Sequence, residues 1–233
     1  MIRKHPVCIP VLFFLLAEAI LYWFVLTAHG TTLVVTSYLA IVLCFFFALI
    51  FGRKTSPFVT AALGFTVCAD FCLVICIPIQ QLWGMVFFLG AQICYAITLR
   101  KYSNTPLLLL RLALSGIAAA IAVLVLKERT DPLAVVSVCY YANLLMNIVE
   151  SLIQFRRNKI LPIAFVLFIL CDTVIGLQVA AGGYLNIPQT SLLYRLLFMN
   201  FNLSWFFYLP SQVLLALSTL PTKQAREDDQ KSP

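Results

Sequence analysis

Two aspartates carry most of the chemical interest in this 233-residue sequence: Asp70 and Asp172, each deep within a long apolar run. An ionisable group at the centre of a membrane helix costs about 2.5–3.5 kcal/mol or more unless it faces a partner or a wet cavity. General acid catalysis needs a neutral carboxyl held in a cleft. Apolar surroundings without a countercharge favour that form. Glu18 has the same character, near mid-run with no basic residue at its depth. Arg111 and Glu150 differ: each lies roughly 6–8 Å inside the same face by helical rise. The expectation for them is a structural ion pair, or two side chains snorkelling to one interface.

Around the depth of the acids fall Gln92, Asn143, Asn147, Tyr208 and Gln212. Asn143 and Asn147 share a helix face by their i, i+4 spacing. Together these residues could line one polar cavity with Asp70 and Asp172. The competing reading is interhelical hydrogen bonding, worth about 0.6 kcal/mol per contact, and it is the expectation for any single amide. For the matched aspartates a chemical role is favoured, because such bonding does not require a charge-capable group twice. Trp23, Trp83, Trp205 and most Phe residues are expected in lipid-facing or belt positions, without chemistry.

Several other chemistries lack their residues. There is no G-x-S-x-G elbow, no H-E-x-x-H zinc motif and no phosphate loop. The two histidines, His5 and His29, both lie at run ends, so no metal site is expected. The eight cysteines all lie in or beside apolar runs, unlike a secreted disulfide framework. Cys68, Cys72 and Cys76 repeat on one helix face, and core packing is favoured for them over metal binding.

The elements that must position these residues follow from composition. Apolar residues make up 62% of the chain and charged residues 11%, against roughly 45–50% and about 25% in soluble domains. The reading is an all-α, polytopic transmembrane bundle of about eight spans, forming a single domain over residues 1–219. Runs of suitable length fall near 8–27, 31–52, 58–78, 82–99, 106–126, 132–154, 160–181 and 196–219. Pro57, Pro106, Pro132 and Pro162 lie near run starts, where a missing amide hydrogen is tolerated. Residues 8–27 are read as a retained span rather than a cleaved signal, because the run is span-length, carries Glu18 and lacks a small-x-small cleavage site.

The net charge of +7 comes from basic residues in short loops, with no stripe that would suit nucleic acid. Twelve of them fall on the side holding both termini: Arg3, Lys4, Arg53, Lys54, Arg100, Lys101, Arg156, Arg157, Lys159, Lys223, Arg226 and Lys231. The opposite side has Lys127, Arg129 and Arg195. Retention of Lys and Arg inside then predicts cytoplasmic termini and an even span count. Residues 220–233 read as a disordered cytoplasmic tail. Spans three and seven echo each other, both running outward from a proline, with an Asp about twelve residues, or roughly 18 Å, along. A parallel four-plus-four repeat would explain the echo.

These segments resemble the YhhN family of membrane proteins, which includes lysoplasmalogenases. The resemblance lies in "VCAD" ending at Asp70, "ILCD" ending at Asp172, and "YLPSQVLLALS" with Tyr208 and Gln212. A further family pattern, F-x-x-x-H-x-x-Y, is met by Phe88, Gln92 and Tyr95, with Gln in place of His. Length and span layout agree over about residues 8–219. The resemblance implies hydrolysis of the vinyl ether bond of a lysoplasmalogen, a lysophospholipid, giving a fatty aldehyde and a glycerophospho-headgroup. It implies that Asp70 and Asp172 divide the acid and the cation-stabilising or water-activating roles, without metal or cofactor. Gln92, Tyr95, Asn143, Asn147, Tyr208 and Gln212 are the expected substrate- or water-positioning residues. Gln92 can hydrogen-bond but cannot shuttle a proton, so either the acids suffice or this chain has altered or lost activity. The alternative is a non-enzymatic membrane protein: a proton-coupled carrier, a catalytically inactive lipid-binding member, or a structural subunit. A carrier would favour matched helix breaks, for which Pro210, Gly64 and Gly90 are the candidates.

Overall fold

The computed structural model describes residues 8–100, 105–126, 131–156, 158–183, 187–199 and 201–220. All regular structure among them is helical: α1 (Cys8–Thr27), α2 (Gly30–Phe51), α3 (Pro57–Asp70), α4 (Gln81–Arg100), α5 (Thr105–Leu126), α6 (Pro132–Ile153), α7 (Ile160–Gly183), α8 (Leu192–Leu197) and α9 (Leu203–Leu217). Six of these segments are long and apolar enough to cross a membrane, and the apolar stretches Pro106–Ile121 and Leu203–Leu217 are shorter. The burial pattern agrees with a lipid setting. Leu12, Phe13, Ile50, Leu109 and Leu124 face outward, whereas Glu18, Asp70, Gln92, Arg111, Asn147, Glu150 and Gln212 are buried inside. A soluble core would place most of these the other way round.

Local signals set the helix starts. Pro57 and Pro132 occupy the first turns of α3 and α6, where an amide hydrogen has no partner anyway. Asp131 caps α6 by accepting from the Ala134 amide at 2.6 Å. Asn158 accepts from the Ile160 and Leu161 amides ahead of α7. Gly52, after α2, is required by close approach: a Cβ there would stand 2.3 Å from Thr219 Cβ. Thr55 Oγ1 donates to the Thr219 carbonyl at 2.7 Å, tying the end of α9 to the α2–α3 turn.

Two spans are less regular than expected. The third, expected over 58–78, leaves α geometry after Asp70, passes through a π turn over Phe71–Ile75 and becomes extended at Cys76. Pro78 keeps the helix from resuming, since a proline disfavours helix in the residue before it and donates no hydrogen bond. The eighth, expected over 196–219, divides into α8 and α9. At the start of α9 the side-chain Nδ2 of Asn202 donates to the Val25 carbonyl of α1 at 2.9 Å. Within α9, Pro210 offers no hydrogen to the Phe206 carbonyl four residues back. The Tyr22 hydroxyl of α1 bonds that carbonyl instead, at 3.1 Å.

Packing partners follow the repeat suggested by the two aspartate runs. In one half α1 lies on α2, α2 on α3 and α3 on α4; in the other, α5 lies on α6, α6 on α7 and α7 on α9. The halves meet where α4 packs on α6 and α2 on α9. Exchanging α1 with α5, α2 with α6, α3 with α7 and α4 with α9 reproduces all of these pairs, whereas the contacts of α9 with α1 and α3 have no such counterpart.

The cysteine face of the third span corrects one expectation. Cys68 is exposed and Cys72 and Cys76 are half-buried, so this stripe turns outward rather than into the core. Its register is fixed by Ala62, Thr66, Ala69 and Asp70, which take the inward face of α3. The tail from 221 onward, and Arg3, Lys4, Lys101, Lys127, Arg129 and Arg157, lie outside the described residues.

Candidate active site

Asp70 is the last residue of α3 before the π turn, and Asp172 lies mid-way along α7. Both line one cavity of about 200 Å³. Its walls are Leu73 and Val74 from the π turn, Phe88 from α4, Cys171 and Ile175 from α7, and Ser204, Trp205 and Tyr208 from α9. π turns are frequent at functional sites because they break the regular helix ladder. Here the turn begins directly after Asp70 and contributes two wall residues.

Each carboxylate is held by a tyrosine from another helix. The Tyr208 hydroxyl donates to Asp70 Oδ2 at 2.7 Å. The Tyr140 hydroxyl of α6 donates to Asp172 Oδ2 in a short bond. Among the described residues no further hydrogen bond reaches either carboxyl. Among the described residues no countercharge stands beside either acid, and the buried Arg111 bonds elsewhere. Aromatic rings fix both tyrosines. Phe88 lies 5.8 Å from the Tyr140 ring and 6.4 Å from the Tyr208 ring, and Phe168 and Trp205 stand 5.5 and 5.3 Å from Tyr208.

The expected single polar cavity is in fact two separate sites. Of the six expected positioning residues, Tyr208 lines the aspartate cavity. Asn143, Asn147 and Gln92 belong to a second cluster built on Arg111. Arg111 Nη2 donates to Glu150 Oε1 and Asn147 Oδ1, each at 2.8 Å, and Nη1 donates to Asn143 Oδ1 at 3.2 Å. Asn147 Nδ2 then donates to Gln92 Oε1 at 2.8 Å, and Asn143 Nδ2 to Ser115 Oγ at 3.1 Å. The physical reason is the guanidinium itself, whose five N–H groups draw every acceptor within reach once it leaves water. The expected Arg111–Glu150 pairing is therefore present, and it takes the asparagines with it. Tyr95 packs against Phe165, 5.2 Å between ring centres. Gln212 is fully buried one turn beyond Tyr208.

Several site residues escaped the sequence reading, among them the walls Leu73, Val74, Ile175 and Ser204. Trp205, expected to face lipid, instead lines the cavity and packs on Tyr208. Tyr140 and Cys171 were not singled out. Tyr140 had a usable signal, because it lies three and seven residues before Asn143 and Asn147 on one α6 face.

Among known families, the YhhN family matches residues 39–219, a stretch that contains the cavity, both aspartates and both tyrosines. The chain belongs to the YhhN family. Neither the curated proteins nor the solved structures compared with it contain a match. The YhhN match begins within α2, so α1 and Glu18 lie outside the matched stretch.

Proposed function

We propose that this protein is a membrane-embedded hydrolase of the vinyl ether bond of lysoplasmalogens. The observation that carries the reading is the shared cavity: two carboxyls from parallel repeat positions, each with one oxygen held by a tyrosine and no countercharge among the described residues. We place the chain as an eight-span, multi-pass bundle with both termini cytoplasmic, from the loop charges and the helix order.

In this mechanism one aspartic acid protonates the alkenyl carbon remote from the ether oxygen, giving an oxocarbenium ion. The other, as carboxylate, stabilises that cation and then accepts a proton from the water adding to it. The resulting hemiacetal breaks its bond to the glycerol oxygen, which leaves with a proton as the alcohol of the glycerophospho-headgroup. The remaining fragment is the fatty aldehyde. Tyr208 and Tyr140 hold the two carboxyl groups in place throughout. A cavity of about 200 Å³ accommodates the reacting ether and a water but not a whole lipid. The alkyl chain therefore extends past Ile175 and Trp205 into the bilayer.

The test is aldehyde release from a lysoplasmalogen by purified protein in detergent. Release by the parent that disappears in Asp70→Asn and in Asp172→Asn supports the proposal. Release undiminished in both variants removes the aspartates from the mechanism. A parent that releases no aldehyde but takes up solute in a pH-dependent manner in proteoliposomes would make the protein a carrier.

A further inference from the structure

The aspartate cavity has a direction. α3 and α7 start beside Arg53, Lys54, Arg156 and Lys159, and α9 returns to that basic face, where Thr219 is tied to Thr55. The end of α4 is there too, since Gln154 Nε2 donates to the Leu99 carbonyl at 3.0 Å. Beyond Asp70 the third span supplies the walls Leu73 and Val74, and beyond Asp172 α7 supplies Ile175. On α9, Ser204 and Trp205 come before Tyr208. All five therefore stand on the side of the acids away from the basic face. Ile175 is exposed and the other four are half-buried.

Toward the basic face the cavity is closed. One helical turn in that direction from Asp70, Asp172, Tyr208 and Phe88 stand Thr66, Phe168, Gln212 and Gln92, and each is fully buried. Four helices thus supply a floor. Depth agrees with this. By helical rise Asp70 lies about 20 Å and Asp172 about 18 Å from the starts of α3 and α7 at the basic face. From the other face the path is short: Tyr208 is about 8 Å from the start of α9, and Phe88 about 10 Å from the start of α4.

We propose that the site draws its lipid from the leaflet opposite the basic face, which is the non-cytoplasmic leaflet if Lys and Arg are retained inside. The identity of the lipid rests on the hydrolase reading, and the direction of entry rests on the cavity. In a lysoplasmalogen, seven bonds separate the phosphorus from the alkenyl carbon that is protonated, a reach of roughly 9 Å at ordinary bond lengths. That reach matches the short path, so the phosphate stays at the interface while the vinyl ether meets the acids. From the basic face the same headgroup would have to descend roughly another 10 Å into hydrocarbon, where a charge is costly. The glycerophospho-headgroup is accordingly released outside the cytoplasm, and the fatty aldehyde stays in the membrane.

The test uses the full-length protein, tagged after Pro233, in sealed proteoliposomes sorted by whether the tag faces out or in. The probe is a 1-O-alkyl lysophosphocholine with a diazirine beside its ether. It has no vinyl ether to cleave, its charged headgroup keeps it in the leaflet to which it is added, and it is supplied from outside. After brief illumination, labelled peptides are read by mass spectrometry. Labelling of residues 171–175 and 203–208 should be about tenfold stronger with the tag inside than with the tag outside. Opening the vesicles with detergent should make the two equal. Equal labelling in sealed vesicles, or stronger labelling with the tag outside, overturns the proposal. Absence of cavity labelling in both, even after opening, overturns it as well. With a lysoplasmalogen in place of the probe, aldehyde should come from tag-inside vesicles, and equal release from both overturns the sidedness. Sided labelling without any aldehyde removes the hydrolase reading and leaves the route of entry standing.

Discussion

Two buried polar clusters lie within the same bundle, and they solve the problem of charge in lipid in opposite ways. Around Arg111 the charges are closed. The guanidinium meets a carboxylate and two amide oxygens, and the network continues through Asn147 to Gln92. Such a cluster clasps α5 to α6 and α6 to α4, and pairs the charge fully even though Gln92 Nε2 at its far end stays buried without a partner. Around Asp70 and Asp172 the charges are open. Among the described residues each acid meets one tyrosine hydroxyl, no cation, and a cavity. The difference separates stability from chemistry: a satisfied network resists movement and substitution, whereas an unsatisfied acid facing a cavity is available to a substrate.

The largest expected effect breaks the open cluster. Asp70→Asn and Asp172→Asn should each lower aldehyde release by about 10²–10⁴-fold, the usual worth of a general acid or base. Their melting temperatures in detergent should stay close to the parent, since an amide still accepts from tyrosine.

Breaking the closed cluster should give the reverse pattern. Glu150→Leu leaves Arg111 buried without its countercharge, at a cost of about 3–5 kcal/mol. A large fall in melting temperature is expected, with activity per folded molecule little changed. Adding Arg111→Leu to Glu150→Leu should recover most of the lost stability, and a double-mutant cycle would measure the coupling.

Smaller changes sharpen the contrast. Tyr208→Phe and Tyr140→Phe remove the one hydrogen bond each acid has, and kcat should fall about tenfold, with KM moving less. The smallest effect is expected from Gln92→His, which restores the residue usual in the YhhN family. Gln92 belongs to the Arg111 cluster and is not a cavity wall. The variant should therefore change activity less than threefold, and stability by about 1 kcal/mol through the lost bond to Asn147. A large gain in activity would show that the two clusters are not functionally separate.

Much of this was legible in residue types and spacing. Helical membrane runs follow from apolar stretches whose length matches a bilayer. The aspartates stood out because isolated acids are rare in such runs. The Arg111–Glu150 pair followed from equal depth on consecutive spans. The partition of the amides was not legible, because Asn143, Asn147 and Gln92 share a depth with the aspartates and depth says nothing of azimuth. Trp205 was misplaced for a related reason. Composition gives an aromatic within an apolar run no side to face, and only packing sets Trp205 against Tyr208 at the cavity.

The amino-acid sequence by itself determined the apolar setting of this protein, the existence of most helices, and the pair of acids that lipid makes costly. These are properties of single segments, set by composition, period and length. The tertiary structure decided which polar residues meet: that Tyr140 and Tyr208 hold the aspartates, and that Arg111 draws the amides away. Those outcomes depend on the rotation of each helix about its own axis, which is settled only when neighbouring faces compete for the same few partners in a medium that offers no water.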